Sequence, residues 1–137
     1  MLFKKTFLFL IGIFLLVAGF NSPMLLIFPM WIFVYLGRDF FTALLKKFPL
    51  ALAFIGAGLV FGLLTESFAI IANLSKPFEQ MILLSPVPAL DLVYGVFYYL
   101  FFVATWYLLL RKIRYSKKEV FFISGLFGII AEETGRV

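Results

Sequence analysis

The stretch PLALAFIGAGLVFGLLTESFAIIA, residues 49–72, carries a single ionisable side chain, Glu66, in a run that is otherwise apolar or small. Crossing a hydrocarbon layer about 30 Å thick takes about 20 helical residues, so this run is long enough to span a membrane. Pro49 suits its opening, because a proline at a helix start gives up no hydrogen bond that the helix would use. Within the run Gly58, Gly62 and Glu66 fall four apart and share one face. Small residues let a second backbone approach closely in lipid, and an acid enclosed by apolar residues is costly to place, so this face is expected to pack and to act.

The rest of the chain agrees with that reading. Of the 137 residues, 64% are hydrophobic and 14% charged, and the mean hydropathy is +1.11. A soluble domain of this size needs far more polar surface to cover its outside. Cysteine and histidine are both absent, which excludes disulfides, thiol chemistry and Cys/His metal sites within the chain. No metal or other cofactor is expected. The net charge of +5 comes from basic residues set between apolar runs. Anionic lipid headgroups fit that placement better than nucleic acid.

The expected fold is all-α: a polytopic integral membrane protein of about five transmembrane helices, within a range of four to six, forming a single domain over residues 1–137. The spans are 7–20, 24–45, 50–72, 89–110 and 119–133, with an interfacial helix over 76–84. Lys4 and Lys5 before the first run resemble a signal-peptide start, but no small-x-small cleavage pattern follows, so the run reads as an uncleaved first helix. Ser22 and Pro23 suit a helix cap and first helical position, making the first two spans a tight hairpin, and Pro29 is expected to kink the second span. Asp91 falls in the first turn of the fourth span, where backbone dipoles favour an acid. Ser116 and Glu119 form the S-x-x-E capping box before the fifth.

Five spans put Lys4, Lys5, Arg38, Lys46, Lys47, Arg111, Lys112, Arg114, Lys117 and Lys118 on one side, and Lys76 and Arg136 on the other. By the positive-inside rule the amino terminus is cytoplasmic. Arg38 and Asp39 read as a local charge pair at that face. Asn73 and Gln80 read as polar groups of the opposite side. Trp31, Trp106, Tyr94, Tyr98, Tyr99 and Tyr107 read as interface anchors or helix-packing rings.

The small-small-acid pattern recurs 66 positions later as Ser124, Gly128 and Glu132, with FGLLTE at 61–66 aligning to FGIIAE at 127–132. A parallel two-helix repeat with an added N-terminal helix would produce this; chance recurrence in so apolar a chain is the competing account. At roughly 1.5 Å per residue, Glu66 lies about 25 Å from Pro49 and Glu132 about 22 Å from Lys117, so both approach the outer boundary. Facing stripes would make Glu66 and Glu132, with Glu133 beside them, a paired site for a proton or cation, since two close carboxylates resist simultaneous ionisation.

No Walker loop, dinucleotide fingerprint or H-E-x-x-H is present. Residues 132–136, EETGR, resemble the E-E-x-x-x-R signature of the CAAX-type intramembrane proteases over five residues, but the arginine is one position early and the family's histidines have no counterpart, so that family is not adopted. The expected function is transport or channel-type, at an outward-facing paired-glutamate site. The alternatives are a membrane-embedded enzyme using Glu66 and Glu132 as acid and base on a lipid-like substrate, and a structural or assembly subunit of a membrane complex. Expected partners are membrane lipids, with a second copy or another membrane protein meeting the small-residue faces.

Overall fold

The computed structural model describes residues 2–74, 76–77, 80–81, 83, 85–116, 118–120, 122–123 and 126, which are mostly helical with no strand among them. In chain order the elements are α1 (Leu2–Gly19), a short 3-10 turn (Pro23–Leu26), α2 (Ile27–Leu36), α3 (Arg38–Leu45), α4 (Leu50–Asn73) and α5 (Pro88–Lys112). Two of them, α4 with 24 residues and α5 with 25, are long and apolar enough to cross a membrane. The chain divides into two compact units, Met1–Ala104 and Thr105–Val137.

In the first unit, α1 turns back on the 3-10 segment and α2. Gly19 makes the turn possible, because a β-carbon there would overlap the side chain of Leu26. Further along, Phe9 meets Phe33 edge-on at 6.1 Å between ring centroids, beside Gly12, whose missing β-carbon leaves room for the Phe33 ring. The 3-10 segment also rests on α4, and Trp31 of α2 stacks on Phe61 of α4 at 5.3 Å. Trp31 thus serves helix packing.

The second expected span, 24–45, is not one straight helix. The segment Pro23–Leu36 and α3 are bent by 75° with Gly37 between them. Gly37 is a poor helix former, and its backbone leaves the helical region at φ −88°, ψ 11°. The Arg38 and Asp39 side chains that follow are well exposed and pair at 3.6 Å. Pro29 does not produce the expected kink. It sits in the first turn of α2, just past the 3-10 segment, where its missing N–H costs little. Ser22 precedes Pro23 in the cap position, but its hydroxyl makes no capping bond.

The distribution of side chains is inverted relative to a soluble protein. Phe97 and Phe101 of α5 are 67% and 76% exposed, as are many other large apolar side chains, whereas Asp91 is 0% exposed and Asn73 and Ser85 are buried. Apolar faces turned outward around a few enclosed polar groups suit lipid as the surrounding solvent.

Between α4 and α5 the described residues form an irregular connection with no α-helix among them, and residues 78–79, 82 and 84 of the interfacial helix expected over 76–84 lie outside the described residues. In the second unit, Trp106 packs edge-on against Tyr115 and Arg111 lies over the Tyr107 ring. The capping box is formed: Ser116 N–H donates to Glu119 Oε2 at 2.6 Å and Glu119 N–H donates to Ser116 Oγ at 3.3 Å. Residues 118–120, 122–123 and 126 are helical, and the remainder of the expected fifth span lies outside the described residues.

Candidate functional site: a carboxyl pair in the α4–α5 seam

Glycines on α4 set the register of the seam. A β-carbon at Gly58 would lie 2.6 Å from Val103 Cγ1, and one at Gly62 would overlap the Tyr99 ring. Across the seam, a β-carbon at Gly95 would touch Glu66 Cγ at 3.4 Å. The pairs 58 with 103, 62 with 99 and 66 with 95 run in opposite senses along the two helices, so α4 and α5 are antiparallel here. Each helix contributes a stripe at four-residue spacing: Gly58, Gly62, Glu66 and Ile70 on α4, and Asp91, Gly95, Tyr99 and Val103 on α5. Bulk on one side meets a glycine on the other. The same register sets Ile70 against Asp91, and Ile70 and Val103 are the buried apolar side chains at the two ends.

Three polar side chains converge in this seam. The Tyr99 hydroxyl donates to Glu66 Oε2 at 2.9 Å. Asp91 lies one turn before Gly95 on the same face of α5, and its charge acts on the Glu66 carboxyl. On its other side, Asp91 Oδ1 accepts the backbone N–H of Ser85 at 2.8 Å, and Ser85 Oγ accepts the N–H of Val87 at 3.3 Å. Asp91 therefore ties the end of the irregular connection to the start of α5. Its Oδ2 is buried and has no hydrogen-bond donor.

That orphaned oxygen has a simple chemical reading. Two ionised carboxylates are acceptors only, so no hydrogen bond joins them until one carries a proton. Neighbouring hydroxyls do not help. Thr65 Oγ1 donates to the Phe61 carbonyl at 3.0 Å and Ser67 Oγ to the Leu63 carbonyl at 2.8 Å. Asn73 Nδ2 likewise donates to the Ala69 carbonyl at 2.7 Å. Among the described residues neither Glu66 nor Asp91 pairs with a lysine or arginine. No group of three or more acidic, histidine or cysteine side chains suited to a metal ion occurs among them either.

Of the residues singled out from sequence, Gly58, Gly62 and Glu66 lie in this seam. Ser124, Gly128, Glu132 and Glu133 lie outside the described residues, as does Lys117; Lys46, Lys47, Arg111, Lys112, Arg114 and Lys118 are exposed. The partners that Glu66 meets are Asp91 and Tyr99 of the next helix. From the sequence Asp91 reads as a helix-start residue and Tyr99 as an interface anchor or helix-packing ring, and packing is the role Tyr99 has against Gly62. The available signal was depth: a residue late in one span is level with a residue early in the next, and Asp91, Gly95 and Tyr99 repeat the four-residue spacing of the α4 stripe. Comparison with protein-family models, with curated proteins and with solved structures finds no match for the chain.

Proposed function

We propose that the chain is a multi-pass membrane protein of transport or channel type, with about five spans and a cytoplasmic amino terminus, in which Glu66 and Asp91 handle the transported ion near the outer face. Asp91 with its unpartnered Oδ2 is the observation that carries this reading. At about 4 Å and an effective dielectric of about 20, two like charges repel by about 4 kcal/mol. A protein gains nothing in stability from such a pair, so its presence points to a positive ion taken up between the acids. Acids inside membrane helices mark ion pathways and proton relays for this reason.

Position supports the assignment. Glu66 is partly exposed and lies roughly 25 Å along α4 from Pro49, while Asp91 is in the first turn of α5. Both therefore sit at the same end of the seam, and Lys46 and Lys47 precede α4 at the other. By the positive-inside rule that other end is cytoplasmic. Exposed faces of α1, α4 and α5 leave apolar surface for lipid or for a second membrane subunit.

The test is flux. Purified chain is reconstituted in liposomes under an imposed proton gradient and followed with an entrapped pH-sensitive dye. Glu66→Gln is expected to lower flux at least about tenfold while membrane insertion and helical content stay at wild-type level. Wild-type flux in a correctly inserted Glu66→Gln protein contradicts the proposed role.

A further inference from the structure

The ion itself can be named from the oxygens available to it. A hard metal cation takes about six or more oxygen ligands. The seam offers the Glu66 carboxyl, Oδ2 of Asp91 and the Tyr99 hydroxyl, whose proton already points at Glu66. Oδ1 of Asp91 is committed to Ser85, and the Thr65 and Ser67 hydroxyls are turned to carbonyls of their own helix. Helix carbonyls nearby are engaged in the α4 and α5 ladders. That set of protein oxygens is small for a metal cation and sufficient for a proton.

We infer that Glu66 and Asp91 share one proton, held between the two carboxyls in the α4–α5 seam, with Tyr99 as the positioning residue that orients Glu66, and that the site selects the proton over sodium and potassium. This deepens the transport reading and rests on Glu66 as its ion-handling acid. The shared proton supplies the donor that Asp91 Oδ2 lacks, and the pair then carries a single negative charge. The titratable side chains that act on Glu66 among the described residues are Tyr99 and Asp91, both from α5, with Tyr98 acting in turn on Tyr99. No opposing cation from any described element is paired with either carboxyl. Gly95 is part of the device, because its bare backbone admits the Glu66 side chain to the side of α5 that carries Asp91.

Amide substitutions imitate the protonated acid. Asp91→Asn keeps an oxygen for the Ser85 N–H and presents an amine to Glu66, while Glu66→Gln presents an amine to Asp91. Either leaves the remaining carboxylate with a permanent donor and no exchangeable proton in the pair. Both variants are therefore expected to fold.

Infrared difference spectroscopy on the full chain in lipid nanodiscs reads the proton directly, through the carbonyl stretch of a protonated carboxylic acid. Wild type is expected to show this band at neutral pH, with the same intensity in sodium chloride, in potassium chloride and in neither salt. Glu66→Gln and Asp91→Asn are each expected to abolish it, and Tyr99→Phe to keep it at a shifted frequency. Absence of the band in wild type, its loss on adding sodium, or its survival in both amide variants overturns the inference. The wild-type salt comparison decides the question even if a variant fails to fold. A wild-type band together with Glu66-independent flux rejects transport at this site and keeps the shared proton. Glu66-dependent flux without the band does the reverse.

Discussion

Asp91 and Glu66 carry the same functional group in unlike surroundings. Glu66 is partly exposed and receives a tyrosine hydroxyl, whereas Asp91 is fully enclosed, with one oxygen on a backbone amide and the other without a donor. Asp91 therefore has a fold-keeping oxygen and, in the proposed function, an ion-handling oxygen on one side chain. Removing the whole group strands the Ser85 N–H inside the protein, which costs about 1–3 kcal/mol. Asp91→Ala is accordingly expected to lower stability by about that amount in reversible denaturation from detergent micelles. Asp91→Asn keeps the acceptor and should stay within about 1 kcal/mol of wild type. Equal losses for alanine and asparagine would show that Oδ1 does not hold the connection to α5.

At the scale of the elements, the seam works by alternating bulk and absence. Gly62 is where Tyr99 lies flat on α4, and that contact fixes the height at which the tyrosine hydroxyl meets Glu66. A methyl group at Gly62 forces the ring aside, an overpacking that costs about 1–3 kcal/mol. Gly56 is on the same helix with nothing near its missing β-carbon, so alanine there should be neutral or stabilising by about 0.5–1 kcal/mol through helix propensity. Thermal denaturation of Gly62→Ala and Gly56→Ala in one micelle system checks this, and a fall in stability for Gly62→Ala without one for Gly56→Ala is the expected result. The bend at Gly37 shows the opposite use of glycine, as the point where an apolar run stops being one helix.

For the molecule as a whole, what was legible in the sequence was the chemistry of each run, and what was hidden was who meets whom. Residues 49–72 declared a membrane-length helix because only one side chain in them is ionisable, and the Gly58, Gly62, Glu66 face announced itself by spacing. Its neighbour on α5 did not, because packing follows adjacency, and consecutive elements usually lie side by side. Asp91 was masked by a sufficient local explanation, since an acid in a first turn is already favoured by backbone dipoles. The break at Gly37 was masked by its neighbours. Leu36 and Phe40 continue the apolar pattern across the bend, so composition alone reads through it. Polar enclosure needs three dimensions: Ser85 is an ordinary loop residue in the sequence and becomes the tether of Asp91 only once the irregular connection closes over the helix start.

A double-mutant cycle shows whether Glu66 and Asp91 act as one unit. Glu66→Gln, Asp91→Asn and the double variant are compared with wild type by reversible denaturation in the same micelles. Each single amide acts on the same interaction between the two side chains, so the effect of the second substitution depends on whether the first is present. Non-additivity of about 1 kcal/mol or more is expected, and effects that add within about 0.3–0.5 kcal/mol would show that the two acids act independently.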